Sequence, residues 1–416
     1  MKLKFFFLLL LLLYIVNCTF YIEAQATVRY VSKSGTSTPP YTSWQTAADS
    51  IQKAVNIADV GDTIYVANGV YYESIYIDKT INLWGSSMDS TLIDGTNITG
   101  YDIFNFFENN STLRYFTITS SNPQRNGIVT RRSNLVAEFC RINSLEVPLN
   151  INYGSVNISN FIIQAFYYAI SDDCPSGLCN SVYSNNIIFS SNSINTPVYF
   201  SFGGNPTFTN NIVIEQGNTE RGVKSVYNSG IKIKNNLVSG YKNTNIEVGQ
   251  ITTDSAYVEN NISLNSPVAY GNSNPTNRTI IRNNIARDVS RGVQSWNGTA
   301  IPDYNLFWNV DQLVYGVAAI LGDSNIVADP MFVNNTIPTA NGSYDYHLQK
   351  YSPAIDKGDP SILDVDGSRS DIGMFGGPLG QKYTYQDLAP KPPRNLTATM
   401  DSGLVHLKWN KNTEAD

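Results

Sequence analysis

The chain is short of charge, histidine and cysteine, and each shortage excludes something. Charged residues make up 15% of it, and the histidines are His347 and His406 alone. Two isolated histidines and four scattered cysteines cannot form a zinc centre with the usual Cys/His spacing. No run of Lys or Arg occurs. The first 26 residues carry Lys2, Lys4 and Glu23, so the 28 Lys+Arg and 34 Asp+Glu of the whole chain become 26 and 33 once that segment is removed. A mildly acidic chain without a basic face is not expected to bind nucleic acid. Apolar runs are short as well. The longest, Phe5 to Val16, falls below the roughly 20 residues of a membrane span.

That run lies behind Lys2 and Lys4 and ahead of Ala24-Gln25-Ala26, the small-x-small pattern of a signal peptidase site. The pattern predicts a signal peptide over residues 1–26, a mature chain from Thr27 with no transmembrane segment, and a secreted or cell-surface location. Cys18 as a lipoprotein cysteine fits less well, because Asn17 stands where a small residue is needed. In an oxidising compartment Cys174 and Cys179, which bracket the four-residue loop Pro-Ser-Gly-Leu, suit a local disulfide. Cys140 then reads as a small buried hydrophobe.

What is abundant is Asn, Ser, Thr, Tyr and Ile, arranged in a repeat. Asn-Asn followed by an aliphatic recurs with its second Asn at Asn186, Asn211, Asn236, Asn261 and Asn284. Asn305-Leu306 continues the series. Tyr183, Phe208, Ile233, Val258 and Ile281 stand three positions before these markers. Ile187, Ile212, Leu237, Ile262, Ile285 and Leu306 stand one position after, and Val198, Val223 and Val248 form a further column. All three apolar columns are expected to face one core. The strands are short and β-branched, without helical periodicity. A period near 25 residues matches one coil of a parallel β-helix, stacked at about 4.8 Å per coil. Asn suits it doubly: it tolerates the left-handed backbone of a tight corner, and its amide can ladder from coil to coil. The fold class is therefore all-β, a right-handed single-stranded parallel β-helix of three stacked sheets. Ser43 as N-cap, with Trp44, Ala47, Ala48, Ile51, Ala54, Val55 and Ala58 at helical spacing before Gly61, predicts an N-terminal capping helix.

Tyr30-Val31-Ser32-Lys33-Ser34-Gly35, Ser43-Trp44 and the stretch Gly61 to Tyr71 resemble the N-terminal cap of secreted pectin-lyase-like β-helix proteins. Ser352 to Pro360, Asp364 to Arg369 and Asp371 to Gly377 resemble the segment that closes the helix in the same group. The resemblance implies a β-helix domain over residues 27–378, without fixing an activity. Residues 379–393 read as a Pro-rich linker. Residues 394–416 resemble the first strands of a fibronectin type III domain, of which only a truncated start is present.

Function in a solenoid sits on a lateral face where coils align side chains into stripes. Asp172 and Asp173, Tyr199, and Arg221 with Lys224 fall on consecutive coils at related positions, the first and last about 10 Å apart by two coil spacings. Elimination of a uronate needs a base such as Lys224 or Arg221 and a charge-neutralising partner, often Ca²⁺ held by carboxylates such as Asp172 and Asp173. A glycosidase needs two carboxyl groups roughly 5 to 9.5 Å apart. Tyr199, with Tyr167 and Tyr168, supplies aromatic faces on which sugar rings stack. Asp356, Asp359, Asp364, Asp366 and Asp371 are candidate Ca²⁺ ligands. No motif of a characterised lyase or hydrolase matches these residues one by one. The expectation is a monomeric protein that engages extracellular polysaccharide, with cleavage by a lyase or hydrolase mechanism left open, and a non-catalytic adhesin or structural surface protein as the alternative.

Overall fold

In the computed structural model, described residues are 26–410 and 412, except 176, 192–195, 277–278, 317–318 and 393. The expected signal peptide lies outside them apart from Ala26. Coil after coil, the chain adds one strand to each of three lateral sheets, all paired in parallel. The first sheet has eleven strands, from Val28–Val31 through Thr63–Val66 to Thr279–Arg282. The other twenty strands of the solenoid fall into two series. The second sheet runs from Gly69–Tyr71 through Ile162–Ala165, Ile187–Ser190 and Ile212–Glu215 to Leu237–Ser239. The third runs from Ile75–Ile77 through Val147–Asn152, Ile170–Asp173, Val198–Ser201 and Arg221–Val226 to Thr244–Val248. Beyond that point the two sheets share continuous strands, Ile262–Asn272, Ile285–Ser295 and Leu306–Gly316.

Side chains alternate across each strand, so one column in two enters the core. Tyr183, Phe208, Ile233, Val258 and Ile281 do so from the first sheet. Ile188, Val213, Val238, Ala286 and Phe307 do so from the second. The column Ile187, Ile212, Leu237, Ile262, Ile285 and Leu306 faces outward, contrary to the expectation above. It reads as core because its last four members are also buried, in a separate cluster beneath the C-terminal segment with Phe332, Tyr346, Leu348, Ala354 and Ile372. The third sheet departs as well. Val198 and Val223 stack, but Ile246 follows Val223, and Val248 pairs with Ser225. The bend before the third sheet is shorter here: Ile246 comes ten residues after Asn236, whereas Val223 comes twelve after Asn211.

The corner between the first and second sheets carries the Asn-Asn repeat. Asn160, Asn185, Asn210, Asn235, Asn260 and Asn283 adopt φ between 54° and 58°, the left-handed conformation that Asn tolerates. The following Asn turns inward. The Oδ1 of Asn211 accepts from the backbone N–H and the Nδ2 of Asn186, both at 2.9 Å, while its own Nδ2 donates to the carbonyl of Tyr183 at 3.0 Å. The same three bonds recur at Asn236, Asn261, Asn284, Asn305 and Asn325. Each amide thus satisfies groups that would otherwise be buried and unpaired.

At the N-terminal end an α-helix, α1 (Ile51–Ile57), lies against the first strands with Ile51, Ala54 and Val55 buried. It is shorter than the spacing predicts, and Ser50, not Ser43, is its N-cap. Ala48 exchanges backbone hydrogen bonds with Tyr30 and Ser32 (2.9 and 2.8 Å), which holds the preceding stretch extended. The Glu73 carboxylate also caps the helix, accepting from the N–H groups of Ile51 and Gln52 at 2.9 Å. Past the solenoid, Arg394–Asp401 and Leu404–Asn410 form an antiparallel hairpin.

Candidate functional site

The outer face of the third sheet brings together six of the seven residues expected to act on or bind sugar. Ser171, Tyr199, Lys224 and Glu247 stack in one outward column, each on the coil above the last. Tyr168 reaches this column from the preceding bend, its ring 5.8 Å from Tyr199 and 4.7 Å from Tyr167. Asp173 emerges on the same face in the adjacent column with Asn152 and Ser201. Burial raises the pKa of the Asp173 carboxyl, and also that of the Tyr199 phenol, to which the Asp173 charge adds. Glu247 was not foreseen, because the expected register put Gly249 above Lys224. Its carboxylate, 6% exposed, holds Arg221 Nε at 2.5 Å and Lys224 Nζ at 3.3 Å.

Asp172 does not belong to this face. It is one residue from Asp173 and therefore points into the core, stacking with Ile151 and Phe200. The Tyr183 hydroxyl donates to it at 2.9 Å, and burial pushes its pKa up to about 6. Cys174 and Cys179 close a disulfide just beyond it, with Cα atoms 6.0 Å apart. Cys140 is free and fully buried.

A rim that the sequence did not announce borders the face. Phe202 and Tyr227 follow the strands Val198–Ser201 and Arg221–Val226 at left-handed corners, with φ of 56° and 57°. Their rings stack at 5.9 Å and about half of each is exposed. Bulky residues rarely adopt this conformation, and their recurrence on consecutive coils was the available signal.

The geometry limits the chemistry. Lys224 Nζ lies 3.3 Å from the Glu247 carboxylate, a contact that competes with its reaching a sugar proton. Asp173 and Glu247 stand three coils apart, about 14 Å along the stack, which exceeds the roughly 5 to 9.5 Å of glycosidase carboxyl pairs.

The five C-terminal aspartates do not converge, and among the described residues no three metal-ligating side chains are grouped to hold an ion. The carboxylates of Asp359, Asp364, Asp366 and Asp371 accept hydrogen bonds within the segment's turns. Asp359 takes Arg282 at 2.5 Å and the Ser361 N–H and hydroxyl. Asp364 accepts from the N–H groups of Asp371 and Gly377, and Asp366 from Ser368. Asp371 accepts from the Asp356 N–H and the Tyr385 hydroxyl, and burial raises its pKa to about 6.

Fold and face together define a parallel β-helix protein. No protein-family model and no curated protein sequence matches the chain. Solved structures similar to it include ORF18 of Geobacillus virus E2, at 16% identity and TM-score 0.41, with 65% of this chain and 57% of the viral one covered. The mannuronan C-5 epimerase AlgE6 A-module of Azotobacter vinelandii aligns at 13% identity and TM-score 0.41, covering 67% of this chain and 94% of that one. Pectin methylesterase PemA of Erwinia chrysanthemi aligns at 14% identity and TM-score 0.31, covering 70% and 82%.

Proposed function

We propose that this is an exported protein that binds extracellular polysaccharide on the outer face of its third sheet. The observation that carries the reading is the row of Tyr167, Tyr168 and Tyr199 beside the Arg221–Glu247–Lys224 ion cluster, on successive coils of one rigid face. Tyrosine rings offer flat apolar faces to sugar C–H groups, and the flanking ion cluster offers donors and acceptors to sugar hydroxyls. Phe202 and Tyr227 extend the apolar contact at the edge. The engaged state of Lys224 and the wide separation of Asp173 from Glu247 favour binding over cleavage. The test is affinity electrophoresis of the full chain in neutral and acidic polysaccharides. Tyr199→Ala is expected to weaken retardation about tenfold, the equivalent of one lost stacking contact of ~1.4 kcal/mol. Unchanged retardation would remove this face from the account. Release of unsaturated products or new reducing ends from any retarding polysaccharide would replace binding with catalysis.

A further inference from the structure

The corner between the first and second sheets does more than turn the chain. Its outward Asn column, with the outward apolar column beside it, forms a track that already holds a polypeptide folded into tight turns. Over the later coils that polypeptide is the protein's own C-terminal segment. Asn235 Nδ2 donates to the carbonyl oxygens of Met374 and Gly376, at 2.9 and 2.6 Å. Asn260 Nδ2 donates to those of Asp371 and Gly373, at 3.0 and 3.3 Å. Asn283 uses both its side chain and its carbonyl, accepting from the Asp359 N–H through Oδ1 and from the Gly373 N–H through its main chain. Beneath the segment, Leu237, Ile262, Ile285 and Leu306 are buried. Besides Ser370 Oγ, which accepts from Asn260 and Asn283 Nδ2, the partners are main-chain groups, and glycine stands at the close approaches to the track: a Cβ on Gly373 would meet Ile285 Cδ1 at 2.8 Å, and one on Gly376 would meet Asn260 Nδ2 at 2.9 Å.

The segment leaves the track before the track ends. Three more coils repeat the same two columns: Asn160, Asn185 and Asn210 at the left-handed corner, and Ile162, Ile187 and Ile212 beside them. Here the burial is undone. Asn185 is exposed and Asn210 half-buried, where Asn235, Asn260 and Asn283 are buried, and Ile187 and Ile212 are only partly covered. No side-chain hydrogen bond joins Asn185 or Asn210 to a described residue. Where the covered and uncovered stretches meet lies a cleft of about 270 Å³, lined by Asn185, Asn210, Met374, Phe375, Leu379 and Gln381.

We propose that this uncovered stretch, from Asn160 to Ile212, is a docking site for a turn-forming, glycine-containing peptide of a partner protein. The partner would lay its main-chain carbonyls on the Nδ2 groups of Asn185 and Asn210 and an aliphatic side chain over Ile187 and Ile212. The site is continuous with an interface whose chemistry the molecule displays on itself. It lies on a different sheet from the polysaccharide face and does not depend on that reading.

The experiment uses the full chain and a fluorescent synthetic peptide with the sequence of residues 370–377, followed by anisotropy. Saturable binding is expected. The double variant Asn185→Gly, Asn210→Gly should weaken it about tenfold through the loss of two hydrogen bonds. Glycine keeps the left-handed corners unstrained, so an unchanged thermal unfolding curve will show that the fold survives. Absence of binding to the unaltered protein, or equal binding by the double variant, would overturn the proposal. So would loss of binding in Asn235→Gly but not in the double variant, since the peptide would then be displacing the native segment. Competition by oligosaccharide for the same two residues would reassign the site to sugar.

Discussion

The corner between the first and second sheets is built in two ways along one solenoid. In the earlier coils the residue after the left-handed corner is apolar: Phe116 follows Tyr115, Cys140 follows Phe139 and Phe161 follows Asn160, all three buried. In the later coils that residue is the ladder asparagine, from Asn186 to Asn305. The inward first-sheet residues Leu83, Leu113, Ala137 and Ile158 advance by 30, 24 and 21 residues. Tyr183, Phe208, Ile233, Val258 and Ile281 advance by 25, 25, 25 and 23, and the last ladder residues Asn284, Asn305 and Asn325 by 21 and 20, with the same corner bonds throughout. An apolar corner requires only that something fill the space. An amide corner must place an acceptor within hydrogen-bond reach of one N–H on the coil before it, so successive corners align closely. The left-handed backbone is common to both kinds, and Tyr115 and Phe139 adopt it without the tolerance of Asn. The β-helix is thus carried by strand pairing and inward columns, while the ladder specifies corner register.

The largest expected effect comes from breaking the ladder in its middle. Asn236→Ala strips an acceptor from the backbone and side chain of Asn211 and a donor from the Phe208 carbonyl. Buried groups left unpaired in this way should cost about 3–5 kcal/mol in a urea unfolding curve. Next in size is a pH effect at Asp172, in the coil where the corner changes type. Its folded pKa of about 6 lies above the usual carboxylate value, so the folded state holds the proton more tightly than the unfolded one. The group favours folding fully below about pH 4, and that contribution is lost as pH rises through about 6. Two pKa units correspond to about 3 kcal/mol. Asp371, with the same shift, works in the same direction. Asp172→Asn is expected to raise stability at pH 7.5 and to flatten the decline between pH 4 and 6.5, as measured by urea unfolding at each pH. Reducing the Cys174–Cys179 disulfide, which spans the same coil, should cost about 2 kcal/mol for so short a loop. Cys140→Ala, at an apolar corner, should cost about 1 kcal/mol, the scale of one small buried group.

Much of this architecture was legible in the spacing of Asn-Asn pairs, since a fixed period and a residue tolerant of the left-handed corner both have direct structural meaning. Which Asn of a pair turns inward was not, because both are polar and both end buried where the C-terminal segment covers the corner, as at Asn260 and Asn261. The same covering disguised Leu237 and Ile262 as core. Asp172 and Asp173 could not be told apart while the local register was open, although a one-residue difference decides between core and surface. Lys224 and Tyr199 were placed on one face from the Val198 and Val223 spacing, but Glu247 was missed because the bend after Asn236 is shorter. The density of aspartates at 356–371 does not by itself separate metal ligation from turn closure, in which Asp359, Asp364, Asp366 and Asp371 accept from N–H groups.

The division of labour within one Asn pair is the most direct test of the account. Asn186→Asp replaces an amide that donates to the Ile158 carbonyl at 3.1 Å and to Asn211 Oδ1 at 2.9 Å with a group that has no donor to offer when ionised. Asn185→Asp makes the same chemical change one residue earlier, at an exposed corner whose conformation Asp tolerates. Urea unfolding of the two variants side by side should show a loss of about 3 kcal/mol or more for Asn186→Asp, and no more than about 0.5 kcal/mol for Asn185→Asp. Equal losses, or the larger loss at Asn185, would contradict the inward ladder on which the description of this fold rests.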